Sequence, residues 1–289
     1  MKVAIFGHKA WIASYILEYF ASQKIDVVYD DSLRADNQSD VEHFLEIEKP
    51  THVLSIVGRT HGPGYPTIDY LEQPGKLMEN LRDNLFVPLL LSQLSSKYTY
   101  HFTYIGTGCI YHMEDPTEYS FQEYDSPNFF GSSYSIVKGF TDQLLRNQTN
   151  SLILRIRLPV TDSHHPRNFI TKLVKYKSIL SEPNSVSVLP TLIPYILDMM
   201  KHTYTGVVNL VNPGFITHNE ILELYKDTVD PFISWKNVSQ EEMGNIVCAK
   251  RCNNILDTTR LEMLYRDVPN AIDAIKKCIS NLHPIKYPL

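Results

Sequence analysis

A tyrosine and a lysine four residues apart are the first side chains of this sequence whose types and spacing can support catalysis. Tyr134 and Lys138 would share one face of a helix. An ammonium group beside a phenol stabilises the phenolate and lowers the pKa of the phenol, so the tyrosine can exchange a proton near neutral pH. The same lysine can donate a hydrogen bond to a ribose. The spacing is common by itself, and the alternative interpretation is two surface residues on a helix.

Thr107 ends the strand predicted before that helix, where its hydroxyl can hold a substrate carbonyl. A Ser or Thr at a strand end, after a first half in which strands and helices alternate, favours the catalytic interpretation of Tyr134 and Lys138.

Small residues follow the first apolar run, in the segment GHKAWIA at 7–13. Dinucleotide-binding folds place glycines at this strand-to-helix turn, because the backbone must turn tightly and approach the pyrophosphate. The helix N-terminus then faces the phosphates with its free N–H groups. Here the pattern is G-x-x-A-x-x-A, and an ordinary turn is an equal alternative. The cofactor contacts predicted here are Gly7, His8, Lys9, Ala10, Trp11 and Ile12, and Gly58 after the third strand is added to them.

Charged residues at the end of the second predicted strand bear on the choice of cofactor. Asp30 and Asp31 would bind the ribose hydroxyls of NAD and repel the phosphate of NADP. Lys9 and Arg34 could instead pair with a 2′-phosphate. These residues alone leave the preference open, and a solvated loop is the alternative for all of them.

Alternating strands and helices position these residues. The predicted strands are 2–6, 26–29, 51–57, 98–105 and 151–157, and the predicted helices are 10–23, 41–48, 75–96 with a kink at Pro88, and 132–146. This alternation predicts an α/β fold, a Rossmann-type doubly wound parallel sheet with a smaller α/β substrate-binding lobe. Residues 1–160 are expected to form the NADP-binding domain, with return segments near 186–210. Residues 161–289, with helices at 169–176, 192–201, 218–225 and 270–279, should form mainly the substrate-binding lobe.

Composition and charge limit the classes of protein to which this chain can belong. The 289 residues are 43% hydrophobic and 20% charged, as in a globular protein, and the formal charge of -5 argues against nucleic-acid or anionic-membrane binding. Cys248 and Cys252 are spaced C-x3-C without a second pair or nearby histidines, so no metal site is expected. Reduced thiols, no signal peptide and no apolar run of membrane-spanning length predict a cytoplasmic protein.

Four further stretches, with the tyrosine–lysine pair, resemble one family. They are TGCIY (107–111), PRNFITK (166–172), HNEIL (218–222) and NNILD (253–257). The chain resembles, over essentially its whole length, the nucleotide-rhamnose synthases of plants and giant viruses, which are UDP-4-keto-6-deoxy-glucose 3,5-epimerase/4-reductases of the extended short-chain dehydrogenase/reductase superfamily. Ala10 and Ala13 depart from the family pattern, which usually has glycine at both positions.

The resemblance implies two activities at one site. A 4-keto sugar has acidic protons at C3 and C5, and inverting each centre takes one group to remove a proton and another to deliver one from the opposite face. By resemblance these groups are Cys109 and Lys172, and which of them is the base stays open. Thr107 and Tyr134 would hold O4 as it becomes an enolate, and Tyr134 would protonate O4 once hydride reaches C4. The product would be UDP-L-rhamnose. The alternatives are a buried small cysteine and a solvated lysine.

Other residues of the matching stretches are expected to bind the substrate, UDP-4-keto-6-deoxy-D-glucose. Arg167 and Asn168 would contact the diphosphate or the sugar, and Arg251 and Asn254 would lie near the nucleotide. A helix N-terminus capped by Asn168 is the alternative.

The resemblance also bears on cofactor and partners. The basic pair His8-Lys9 matches a position in related GDP-fucose synthases, which use NADPH, so NADPH is predicted and NADH is the alternative. The chain has no room for the dehydratase that plants fuse to this domain, so a separate UDP-glucose 4,6-dehydratase should supply the substrate. Extended members of the superfamily commonly pair through two helices, so the resemblance implies a homodimer. The apolar faces of the corresponding helices are either core or dimer surface, and they carry Leu85, Leu89, Leu90, Phe140 and Leu144.

Two other functions compete with this hypothesis. A 4-keto-sugar-nucleotide reductase without epimerase activity would need neither Cys109 nor Lys172. A non-catalytic nucleotide-binding regulatory subunit would not need Thr107, Tyr134 and Lys138.

Overall fold

The computed structural model describes residues 1–114 and 119–285. The strands of these residues are β1 (Lys2–Phe6), β2 (Asp26–Val28), β3 (His52–Ser55), β4 (His101–Thr107), β5 (Ser151–Ile156), β6 (Pro159–Val160), β7 (Ser178–Ile179), β8 (Ser187–Val188), β9 (Gly206–Asn209) and β10 (Lys236–Asn237). The α-helices are α1 (Trp11–Ser22), α2 (Gln38–Glu48), α3 (Leu77–Leu81), α4 (Val87–Tyr98), α5 (Ser133–Leu145), α6 (Phe169–Leu173), α7 (Leu189–Lys201), α8 (His218–Thr228), α9 (Gln240–Gly244), α10 (Thr259–Leu264) and α11 (Ala271–Ser280). A 3₁₀ turn covers Ile68–Glu72.

A six-stranded parallel sheet in the order β2-β1-β3-β4-β5-β9 forms the centre of the fold. The chain runs outward from β1 to β2 and then returns to the other side of β1 for β3. Strand order therefore reverses between β1 and β3, which is where open α/β sheets bind ligands, beyond the carboxyl ends of their strands. The predicted Rossmann-type parallel sheet with flanking helices is confirmed.

Side chains of a strand alternate between the two faces of the sheet, and here apolar side chains point to both. Helices cover both faces and bury these side chains. Val3 and Ile5 of β1 pack on one face with α1 and α7. Ala4 and Phe6 pack on the other face with α2 and α4. A second, smaller core lies among α6, α8, α11 and the two-stranded sheet β6-β8.

The predicted helix at 75–96 is a continuous helical stretch with a π turn at Arg82–Phe86 between α3 and α4. Pro88 lies just after this turn and has no N–H to donate to the carbonyl of Asn84. That carbonyl accepts the hydroxyl hydrogen of Thr141 instead, at 2.7 Å. The expected irregularity is therefore a π turn anchored to α5, a feature that often accompanies functional sites.

Two predictions of secondary structure from the sequence need correction. The strand expected at 98–105 is His101–Thr107, because α4 continues to Tyr98 and ends at Thr99, whose φ of 55° is left-handed. Short strands in the second half were not predicted, including β9, which completes the central sheet. None of the described helices combines the length and apolar composition needed to cross a bilayer.

Candidate active site

The turn between β1 and α1 has the geometry of a phosphate-binding turn. Gly7 adopts a φ of 87°, and a Cβ there would lie 2.9 Å from the backbone of Ile56 and Val57. Ala10 is the extended N-cap of α1 and makes no side-chain cap, so the first N–H groups of the helix are free for a ligand. Trp11 is buried and stacks on His165 at 5.3 Å, while Ile12 is half-buried. The turn thus fits a dinucleotide despite its alanines.

The charged residues near this turn pair with one another. Asp31 accepts hydrogen bonds from Lys9 and pairs with His8, each at 3.0 Å, and these two contacts lower the pKa of its carboxyl group. The His8 ring stacks on Tyr29 at 4.4 Å. Asp30, by contrast, accepts from the backbone and hydroxyl of Ser32. A basic pair bound to a single carboxylate therefore lies at the predicted ribose-phosphate position.

Arg34 lies farther along the same loop and pairs with Asp36 at 2.8 Å. Gly58 follows β3, and its neighbour Arg59 donates its backbone N–H to the side chain of Asn84 at 3.0 Å. The π turn that carries Asn84 thus supports the backbone at the strand-order reversal.

Tyr134 and Lys138 are both buried on α5, which begins at the N-cap Ser132. The ammonium of Lys138 donates to the hydroxyl of Tyr104 on β4, and burial lowers the pKa of Lys138 to about 7. Burial, together with the nearby charge of Cys109, raises the pKa of Tyr134. This differs from the expected phenolate: the structure favours a neutral phenol at Tyr134.

Thr107 is the last residue of β4 and is nearly buried. Its Oγ1 accepts the backbone N–H of Cys109 at 3.1 Å, and the Thr107 hydroxyl acts to lower the pKa of the Tyr134 phenol against the effects that raise it. Thr107, Cys109 and Tyr134 therefore meet at one point beyond the carboxyl end of the sheet.

The sulfur of Cys109 lies beside a second cysteine and an arginine that sequence reasoning did not select. Nη1 of Arg157 donates to Sγ of Cys109 at 2.9 Å and to Sγ of Cys252 at 3.0 Å. A hydrogen bond from Cys252 and the charge of Arg157 lower the pKa of Cys109, whereas the pKa of Cys252 is raised by the same hydrogen bond and by burial. These directions favour the thiolate at Cys109 rather than at Cys252.

Two signals could have found these residues. Arg157 ends a predicted strand that is mostly apolar, where a charge needs a buried partner. Cys252 had been weighed only as a metal ligand with Cys248, which is exposed. Among the described residues no group of three His, Cys, Asp or Glu side chains could hold a metal ion.

Asn254 and Asn168 have structural roles. The Asn254 side chain is 1% exposed and donates to the carbonyls of Gly108 and Tyr111 at 3.0 and 2.7 Å, which holds the loop around Cys109. Asn168 is fully buried and caps α6 by accepting the N–H of Ile170 at 3.1 Å. Asn168 therefore matches the capping alternative, whereas Oδ1 of Asn254 is buried without a hydrogen-bond partner among the described residues, and substrate contacts at both positions stay predictions.

Lys172 lies in the last turn of α6 among other cations. Burial and the charges of Arg167 and Arg251 lower its pKa. Arg167 contacts His61, and Arg251 pairs with Asp69 at 2.6 Å. Arg251 directly precedes Cys252, so the chain links the surroundings of Lys172 to the cysteine pair. Positive groups concentrated in this way favour a polyanionic ligand.

Comparisons with known proteins agree with this geometry, although no protein-family model matches the chain. A protein of Acanthamoeba polyphaga mimivirus is 48% identical over 286 residues, which cover 98% of this chain and 99% of that protein. The crystal structure of that protein, a UDP-rhamnose synthase, matches with a TM-score of 0.94 over 97% of this chain and 99% of that one.

Two plant proteins are also similar. The bifunctional dTDP-4-dehydrorhamnose 3,5-epimerase/dTDP-4-dehydrorhamnose reductase of Arabidopsis thaliana is 35% identical over 95% of this chain and 91% of the plant protein. A trifunctional UDP-glucose 4,6-dehydratase/UDP-4-keto-6-deoxy-D-glucose 3,5-epimerase/UDP-4-keto-L-rhamnose-reductase of the same plant is 33% identical over 96% of this chain. The match spans 41% of that longer protein.

Proposed function

This chain belongs to the family of bifunctional 3,5-epimerase/4-reductases that synthesise nucleotide-linked rhamnose, and from that premise we propose that it converts UDP-4-keto-6-deoxy-D-glucose to UDP-L-rhamnose with NADPH. The observation that carries the proposal is the meeting of Cys109 with Thr107 and Tyr134 at the end of β4. A thiolate there lies beside two hydroxyls that can hold a carbonyl oxygen, and this is the set of groups that proton abstraction next to a ketone requires.

Cys109 is the base of the epimerisation. Its lowered pKa keeps a thiolate available near neutral pH, and the thiolate removes a proton from the carbon next to the C4 carbonyl. Lys172 is the acid: burial and neighbouring cations bring its pKa down from 10.5, so its ammonium releases a proton more readily. The sequence alone had left these two roles open.

Thr107 and Tyr134 hold O4 of the sugar. As the C–H bond breaks, negative charge moves onto O4, and hydrogen bonds from the two hydroxyls stabilise it. Because Tyr134 is a neutral phenol, it is already in the form that donates a proton to O4 during reduction. When bound, NADPH supplies the hydride for C4.

The turn at Gly7 and the N-terminus of α1 would hold the pyrophosphate of NADPH, and the basic pair of His8 and Lys9 would face its 2′-phosphate. Lys138 would hydrogen-bond the nicotinamide ribose. Arg167 and Arg251, in the cluster of cations around Lys172, would bind the diphosphate of the sugar nucleotide.

Two partners follow from this reaction. A 4-keto-6-deoxy sugar is made by dehydration, an activity that the trifunctional plant relative combines with the epimerase and reductase activities. A separate UDP-glucose 4,6-dehydratase supplies the substrate. A second copy of the chain packs on α4 and α5, where Phe86, Phe140 and Leu144 are exposed.

The test is the mass of the product made in deuterium oxide from UDP-4-keto-6-deoxy-D-glucose and NADPH. Deuterium at both C3 and C5 of a reduced sugar is expected, because each new proton comes from groups that exchange with solvent. The Cys109→Ser variant should lose both labels, while Cys248→Ser, at an exposed cysteine, serves as its control. A reduced sugar without deuterium would leave a 4-reductase alone, and conversion of UDP-glucose by this chain would contradict the separate dehydratase.

A further inference from the structure

Arg157 is a buried cation with an unusual set of partners. It is 2% exposed, and its guanidinium donates to both sulfurs, to the carbonyl of Cys252 at 2.5 Å and to the side chain of Asn184. None of the ion pairs found among residues 1–114 and 119–285 involves Arg157. Within the same described residues, its hydrogen-bond partners include no carboxylate.

A second arginine, two residues earlier within β5, provides the comparison. Arg155 is also fully buried, and Asp142 accepts two of its hydrogen bonds at 2.7 and 2.8 Å. A buried charge without a counter-charge is very costly, and an arginine cannot relieve that cost by losing its proton. The two thiols that it contacts can supply the anion that balances Arg157.

Nη1 of Arg157 donates to Sγ of Cys109 at 2.9 Å and to Sγ of Cys252 at 3.0 Å, so one cation holds the two side chains side by side. A charge-assisted hydrogen bond of this kind stabilises a thiolate. Interaction with Cys252 and the charge of Arg157 lower the pKa of Cys109, whereas the pKa of Cys252 is raised. The pair therefore favours the thiolate at Cys109 and the proton at Cys252.

We propose that Cys252 and Arg157 are positioning residues of the epimerase: together they hold Cys109 as the thiolate that acts on the sugar, and they restore that thiolate between the two epimerisations. The inference rests on the proposed function for the fate of the proton. The Cys109 thiolate takes a proton from carbon, and the electrons of the broken C–H bond pass into the enolate. The positive charge of Arg157 then favours release of that proton to solvent, while Lys172 regains one from solvent.

The direct test is the pH dependence of Cys109 alkylation by iodoacetamide, measured without substrate and read by peptide mass spectrometry so that each cysteine is followed separately. In Cys252→Ala the midpoint should rise by at least about one pH unit, a tenfold loss of thiolate below it. Cys252→Ser retains a hydroxyl donor and should restore most of the wild-type midpoint. Cys248→Ala removes the same atoms at an exposed position nearby and should leave the midpoint unchanged.

Arg157→Lys gives a second, independent measurement if Cys252→Ala does not fold. A lysine keeps the charge but loses the planar fork that contacts both sulfurs, so the midpoint should again rise. An unchanged midpoint in either folded variant, or no restoration by serine, would overturn the inference. If Cys109 titrates as expected but no deuterium enters the product, the cysteine pair stands and the proposed epimerisation falls. If deuterium enters the product but the alkylation midpoint of Cys109 does not move in the variants, only the role of Cys252 and Arg157 is overturned.

Discussion

Replacing Lys138 by methionine should change how the stability of the protein depends on pH. Burial lowers the pKa of Lys138 from 10.5 to about 7. Between these values the unfolded chain binds a proton that the folded protein does not, so stability rises with pH across this interval. Below it, the folded protein bears the full cost of a buried ammonium.

The size of the effect follows from the two pKa values. One pKa unit corresponds to about 1.4 kcal/mol, so the lowering amounts to about 5 kcal/mol over the whole interval, an order-of-magnitude figure. From about pH 7 to about pH 9 the wild-type protein should gain about 2 kcal/mol in free energy of unfolding relative to Lys138→Met. Comparing the two proteins cancels the titration of groups that both contain.

Urea unfolding of the protein without cofactor, at a series of pH values, measures this difference. Lys175→Met replaces an exposed lysine and is the matched control, since a lysine that stays solvated on folding leaves the slope unchanged. Parallel pH profiles for wild type and Lys138→Met would refute the reasoning, because they would mean that the buried ammonium binds its proton as firmly as one in water.

Three further predictions concern other parts of the molecule. Tyr134→Phe should lower the rate of NADPH oxidation with the 4-keto sugar by roughly 10²–10⁴-fold by removing the proton donor, while fluorescence titration still detects bound NADPH. Thr141→Val should lower the free energy of unfolding in urea by about 1–3 kcal/mol, because the carbonyl of Asn84 loses its donor; an equal stability would contradict the account of the π turn. The double variant Phe140→Glu and Leu144→Glu should elute as a monomer in size-exclusion chromatography at a concentration where the wild type is dimeric, and a wild-type monomer would contradict the proposed dimer.

Local sequence patterns predicted the elements of the first half because each pattern depends on neighbours along the chain. The strand Lys2–Phe6 and the turn at Gly7 follow from an apolar run and a glycine. The π turn does not, because it depends on Thr141 of α5, which lies more than 50 residues away. The strand β9 has only four residues and forms by pairing with β5, so its own composition gave little signal.

Sequence reasoning selected residues whose side-chain type and position along the chain suggest a role. It missed residues whose role depends on a contact with a distant segment. Cys109 and Tyr134 could be selected from type and position, but the pKa of each is set by contacts across the fold. Arg157 and Cys252 come from different segments and meet Cys109 only after folding. The same applies to Lys138, whose contact with Tyr104 replaces the expected pairing with Tyr134.

The charge of Cys109 links the two activities at this site. While Cys109 is a thiolate, its negative charge raises the pKa of Tyr134 and keeps that side chain a neutral phenol. Tyr134 can then only donate a hydrogen bond to O4, which is what the enolate of epimerisation needs. In the proposed mechanism Arg157 and Cys252 restore the thiolate after each proton transfer, so this repulsion returns before the next step. The same charge would therefore keep Tyr134 in the form that donates to O4 in both reactions, so a single set of side chains can serve epimerisation and reduction in sequence.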